Sequence, residues 1–119
     1  EAVRIAVAAV DEGIGRLMEA VRKANGIMIV SADHGNADDM VEFDKKTGEP
    51  KRDSHGNFRT KTAHSLNPVP VYFYDPGNQA GLKLAGIDSP GISSLAATCM
   101  VLLGFEPPAD YTPSLVETE

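Results

Sequence analysis

Val3, Val7, Val10, Ile14, Leu17 and Val21 recur at spacings of four and three along the start of the chain. One face of an α-helix repeats in that way. Arg4, Asp11, Glu12, Arg16, Glu19, Arg22 and Lys23 fill the other positions, so the pattern predicts an amphipathic helix over residues 1–24. Gly13 and Gly15 weaken its middle, by about 1 kcal/mol each relative to Ala. They leave too little regular stripe for a coiled coil, and a helix packed on a sheet is the better reading. Asn25-Gly26 supplies the stop.

The period then changes. Residues 27–31, "IMIVS", show no polar alternation. This predicts a strand covered on both faces, as in a parallel sheet. Residues 69–74, "VPVYFY", read the same way and close on "DPGN". Pro68 and Pro70 put the start of that strand at a sheet end or edge. A short third strand is expected over 82–87. Residues 93–104, "SSLAATCMVLLG", predict a helix capped by Ser93 or Ser94 and ended by Gly104. Leu95, Thr98, Cys99, Leu102 and Leu103 form its apolar face, with Cys99 in the core. The Pro-rich tail from Phe105 reads as irregular. Helices alternating with buried strands make the chain α/β.

Residues 42–61 differ from their surroundings. They hold six Lys or Arg and four Asp or Glu, whereas the rest of the chain holds five and thirteen. Thr47-Gly48 and His55-Gly56-Asn57 are turn signals. An exposed polar excursion of one or two β-hairpins is expected.

The whole chain carries a formal net charge of −6 over 119 residues. That argues against a nucleic-acid partner and offers no basic face to anionic lipid. No apolar run reaches the roughly 18 residues of a membrane span, and no signal peptide is legible. Cys99 is the only cysteine, so no disulfide forms within the chain and a cytoplasmic location is the simplest expectation. The chain starts at Glu1, inside a helical pattern and without a capping residue. It therefore reads as a piece of a longer one.

The first buried strand runs straight into Asp33-His34-Gly35-Asn36. In α/β proteins, ligands gather at the carboxyl ends of strands. Gly35 permits an unusual backbone angle there, which lets both preceding side chains face one small volume. A carboxylate and an imidazole are ligand types of Zn, Mn and Fe sites. His64 precedes the second buried strand and faces the same region if the two strands are neighbours. The plainer readings stay open. Asp-His-Gly-Asn is also good turn chemistry, and His64 also fits a structural hydrogen-bonder. His55 reads as an exposed turn residue. Asp38 and Asp39 read as caps or solvated acids. The basic residues of 45–61 fit a solvated loop or a flap over an anionic substrate.

Taken together, the segments resemble the cofactor-independent (2,3-bisphosphoglycerate-independent) phosphoglycerate mutases. "SADHGNADDM" (31–40) is similar to their "TADHGNAE", and "TAHSLNPVPVYFY" (62–74) to their "TAHTTNPVP". "DKKTGEP" (44–50) resembles the turn between those motifs. "AVDEGIGRLMEAV" (9–21) resembles the helix before them, and "ISSLAATCMVLLGFEPPADYTPSLV" (92–116) the closing helix and tail. The order is the family's, over nearly the whole chain.

The resemblance implies part of a three-layer, alkaline-phosphatase-like sheet flanked by helices. Residues 1–119 would be the C-terminal part of the metal-binding domain. It implies interconversion of 3-phosphoglycerate and 2-phosphoglycerate through a phosphoserine, at two divalent ions, typically Mn²⁺. Two ions suit that chemistry by activating the alkoxide and clamping phosphoryl oxygens. By the same resemblance Asp33 and His34 bind the metal that also touches the serine, and His64 binds the other.

The departures are specific. The family's serine and its "GHTG" ligand segment lie upstream of the helix that opens this chain, and its substrate-gripping domain has no counterpart. The isolated chain is therefore expected to be inactive. Residues 51–61 read as an insertion, and Lys61 stands where a histidine is common in the family. A phosphopentomutase or another metallophosphatase is the alternative within the superfamily, and "NPVP" after His64 speaks against it. A non-catalytic relic domain is the alternative outside it. A chain cut from a larger sheet exposes edges and faces that pair, so self-association is expected.

Overall fold

The computed structural model describes residues 1–118. In chain order the elements are α1 (Ala2–Lys23), β1 (Met28–Ser31), β2 (Val71–Tyr74), β3 (Lys83–Leu84), α2 (Ser94–Leu102) and β4 (Val116–Glu117). β1 pairs with β2, and β3 pairs with β4, giving two separate two-stranded sheets. The chain divides into two compact units, residues 1–7 with 30–72 and residues 8–29 with 73–119.

α1 ends where the sequence places its stop, but Asn25 carries the strain. Asn25 has φ of +51°, and the Gly26 N–H donates back to the Val21 carbonyl at 2.9 Å. This is the left-handed closure that Asn tolerates better than most residues. The packing differs from the expectation. α1 buries no residue, and Val7, Val10 and Leu17 are 53%, 61% and 58% exposed. The apolar stripe is present, but it is only partly covered: Val3, Ile14 and Val21 are half-buried and the rest of it is exposed.

The strands depart in the same sense. In β1, Met28, Ile29 and Val30 are half-buried and Ser31 is exposed; in β2, Tyr72 is exposed and its neighbours are half-buried. No residue of either strand is fully buried, so neither is covered on both faces, and each sheet has two strands only. The third strand, expected over 82–87, is reduced to Lys83–Leu84. It pairs antiparallel with β4, Leu84 opposite Val116, inside the tail that reads as irregular. Strands of two residues are too short for any periodic signal.

The core of the second unit lies where α2 meets β4. Ala97 and Val116 are buried there with Ser94 and Thr98. The Thr98 hydroxyl donates to the Ser94 carbonyl at 2.7 Å and accepts from the Leu115 N–H at 2.9 Å. A buried hydroxyl used in both senses leaves no unpaired polar atom. The face of α2 that packs is therefore Ser94, Ala97 and Thr98, whose small side chains admit close backbone approach. Of the face that reads as core in sequence, Thr98 is buried and Leu95 and Leu102 are half-buried, but Cys99 and Leu103 are exposed. Neither serine caps the helix through its side chain. Ser93 has helical φ and ψ, and its Oγ accepts from Thr112 Oγ1 at 2.9 Å instead. Gly104 does end the helix, at φ of +79°, and Phe105 N–H reaches back to the Met100 carbonyl at 2.9 Å.

In the first unit, three extended legs near 40–44, 49–53 and 57–61 form a closed ring of main-chain bonds. Glu42 N–H donates to the Arg59 carbonyl at 3.0 Å, Arg59 N–H to Lys51 at 2.9 Å, and Lys51 N–H to Glu42 at 2.8 Å. The same three side chains meet: Lys51 Nζ and Arg59 Nε lie 3.9 and 3.5 Å from Glu42 Oε2. Asp44 closes one turn by accepting from the Lys46 and Thr47 N–H groups. Asp53 closes the other by accepting from His55 and Asn57. The Arg52 guanidinium lies over the Phe58 ring, 4.1 Å from its centre.

Candidate metal centre

Asp33 and His34 leave the end of β1, and His64 precedes β2 in the same unit. The imidazoles of His34 and His64 stack, their centres 3.4 Å apart and their planes 12° from parallel. Asp33 Oδ1 lies 3.6 Å from His34 Nε2. His34 is about a third exposed, the Asp33 side chain is 89% exposed, and His64 is exposed. His55 sits apart from this group in sequence, in the exposed 53–57 turn.

One ring nitrogen of His34 is already engaged. Nδ1 lies 3.1 Å from the Gly35 carbonyl, which can only accept. Hydrogen-bond logic thus assigns the proton to Nδ1 and leaves the Nε2 lone pair facing Asp33. In the neutral ring, two electron-pair donors then face each other with no proton between them. A cation suits such a pair, and a ligating His is commonly held by a carbonyl on its other nitrogen. Among the described residues, no group of three or more His, Cys, Asp or Glu is arranged to hold an ion.

What holds the two histidines together was not legible as such. Gly35 and Ser65 form an antiparallel bridge, with the Ser65 N–H donating to the Gly35 carbonyl at 2.8 Å. Asp38 Oδ2 accepts from Ser65 Oγ at 2.7 Å and from Asn67 Nδ2 at 2.6 Å. These bonds, Ser65 first, hold the Asp38 carboxyl below the usual carboxylate range. Asn36 Nδ2 reaches the Thr62 and Ala63 carbonyls at 3.3 and 3.5 Å. Asp39 pairs with Lys61. So Asp38 and Asp39 are neither caps nor free solvated acids. Gly35 is also glycine for a different reason than the one expected. It does not adopt a positive φ; rather, a Cβ there would lie 2.1 Å from Ser65 Oγ and 2.7 Å from Asp38 Oδ1. The only sequence signal for this clasp was a cluster of short polar residues around both histidines.

A family model described as the Metalloenzyme superfamily matches residues 1–107. The chain is 43% identical to the 2,3-bisphosphoglycerate-independent phosphoglycerate mutase of Mesembryanthemum crystallinum, over 98% of this chain and 21% of that protein. It is 46% identical to the enzyme of the same name from Trypanosoma brucei brucei, over 92% of this chain and 20% of that protein. A crystal structure of Leishmania mexicana phosphoglycerate mutase at low cobalt concentration superposes with a TM-score of 0.83 at 45% identity. It covers 93% of this chain and 20% of that one. The chain thus spans about a fifth of the length of the relatives it matches. On these matches the chain belongs to the metalloenzyme superfamily and has its alkaline-phosphatase-like α/β fold, built here of helices and partial, unclosed sheets.

Proposed function

We propose that this chain supplies Asp33, His34 and His64 to the two-metal centre of a phosphoglycerate mutase, which interconverts 3-phosphoglycerate and 2-phosphoglycerate through a phosphoserine. The observation that carries the reading is the facing pair of His34 Nε2 and Asp33 Oδ1, beside a stacked second imidazole. Imidazole lone pairs lie in the ring plane. Two nearly parallel rings therefore do not aim at one point, and they suit two ions roughly 3.5–4 Å apart better than one. Asp33 and His34 would share one ion, and His64 would serve the other. When bound, two such ions, Mn²⁺ by this reading, supply charge stabilisation for phosphoryl transfer. The residues of this chain hold and orient: Gly35 sets the His34 tautomer, and the sheet end keeps the ligands from wandering. The nucleophilic serine has no counterpart here, so the isolated chain is inactive in this reading.

The identity to two mutases over nearly all of this chain supports the mutase reading over a phosphopentomutase or a relic domain. The setting is cytoplasmic glycolysis and gluconeogenesis, without nucleic-acid or membrane partners. No helix among the described residues is long and apolar enough to cross a membrane. The exposed face of α1 makes self-association of the isolated chain part of the same proposal.

Two measurements test it. Calorimetry of Mn²⁺ with this chain should show binding that His34→Ala abolishes. Grafting this chain into the Leishmania mexicana mutase in place of the matching segment should preserve mutase activity, and His64→Ala in the graft should remove it. A graft that folds and transfers phosphate on phosphopentoses but not on phosphoglycerate would replace the reading with its runner-up.

A further inference from the structure

We infer that the Asp38 carboxylate is a positioning group: by gripping Ser65 and Asn67 it sets the separation of the His34 and His64 rings. The argument starts at the backbone. The Gly35–Ser65 bridge is antiparallel. In that register His34 and His64 are diagonal neighbours rather than opposed partners. Diagonal pairs are within reach of aromatic side chains, but a few ångströms of slip separates them. The bridge is isolated, with one main-chain bond across it at 2.8 Å. It needs a second tie to resist sliding.

Asp38 supplies that tie. Its two bonds, at 2.7 and 2.6 Å, reach residues one and three positions beyond His64. Both are short, as expected when the acceptor is ionised. Asn36 ties the other flank, at Thr62 and Ala63, with longer bonds of 3.3 and 3.5 Å. His64 is thus held from both sides, more firmly from the Asp38 side. The place of the clasp is reserved by Gly35: its missing Cβ is the space that Ser65 Oγ and the Asp38 carboxylate occupy. Ser65 is 8% exposed, so water competes poorly for its hydroxyl. The bonds of Asp38 go to Ser65 and Asn67 rather than to either imidazole. It acts on them through the chain.

The purpose of the clasp rests on the metal-centre reading, but its geometry does not, and the test separates them. In proton NMR of the metal-free chain, stacked imidazoles shift each other's ring protons upfield. Asp38→Ala and Ser65→Ala should lose that shift, while amide signals of α2 stay in place. Asp38→Asn keeps an acceptor oxygen and should retain it. Mn²⁺ binding by Asp38→Ala should weaken about 10–100-fold, the usual effect of losing a group that orients a ligand. Ring shifts that persist in both alanine variants would overturn the inference. Should Asp38→Ala unfold the segment, Asn67→Ala removes one bond and decides by the same two outcomes. Ring shifts that respond as expected, in a chain whose graft into the Leishmania mexicana mutase stays fully active with His64→Ala, would overturn the metal-centre reading alone.

Discussion

Gly35 is buried, flanked by the His34 ring and the Asp38 clasp, and has no room for a side chain. Gly35→Ala must push Ser65 Oγ and the Asp38 carboxylate away from a Cβ. Neither is the far end of a long flexible side chain, so the neighbours cannot yield cheaply. Overpacking of this kind costs about 1–3 kcal/mol. Urea unfolding, followed through the ring protons of His34 and His64, should show a lowered midpoint. An unchanged midpoint with unchanged ring shifts would mean that the space beside Gly35 admits a Cβ after all. Thr98 is the counterpart in the other unit. Its hydroxyl is counted as part of an apolar face in sequence, yet it carries the bond that fastens α2 to the segment entering β4.

The 40–61 meander is an element without a strand longer than an isolated bridge. Its order comes from the ring of bonds through Glu42, Lys51 and Arg59 and from two aspartate turns. The ion pairs at Glu42 are partly exposed, which limits each to about 0–1 kcal/mol. The turns respond to pH in a defined sense. Main-chain donors, chiefly the Thr47 N–H for Asp44 and the Asn57 N–H for Asp53, hold both carboxyls below their usual range. A depressed folded value means that the contribution is complete above the ordinary aspartate range and is lost as pH falls through the folded value. In an acid titration the Thr47 and Asn57 amide signals should therefore hold below pH ~4, the ordinary aspartate value, and then move together with protonation. Opening any one leg breaks two of the three bonds, so if the ring opens as a unit the Glu42, Lys51 and Arg59 amides should show one common protection from solvent exchange. Three unrelated exchange rates would show that the legs open singly.

At the scale of the whole molecule, the apolar surface of α1 decides behaviour. Val7, Val10 and Leu17, on one face of the helix, are all more than half exposed. A helix face of this kind tends to find a partner in water, and for the pure chain the available partner is a second copy. Sedimentation should show dimers or larger species that dissociate on dilution. Val10→Glu with Leu17→Glu should give a monomer, with helix content by circular dichroism retained. A clean monomer of the unaltered chain at high concentration would remove self-association from the account.

Features that depend on local chemistry were legible along the chain. The extent of α1 followed from the spacing of its valines and the Asn25-Gly26 stop, and the end of α2 from Gly104. The locations of β1 and β2 followed from unbroken apolar runs. Each signal lies within a few residues, where backbone preference and side-chain period act directly. The other features arose only when the chain closed on itself. Closure paired β3 with β4, turned the small face of α2 inward and left Cys99 outside. It assigned Gly35 its role by crowding rather than by dihedral angle, and it enlisted Asp38, Ser65 and Asn67 as a clasp. These depend on atoms about thirty residues apart meeting within 3 Å. A hydrogen bond of that length discriminates among side chains only once the chain has closed, and no spacing along the sequence encodes it.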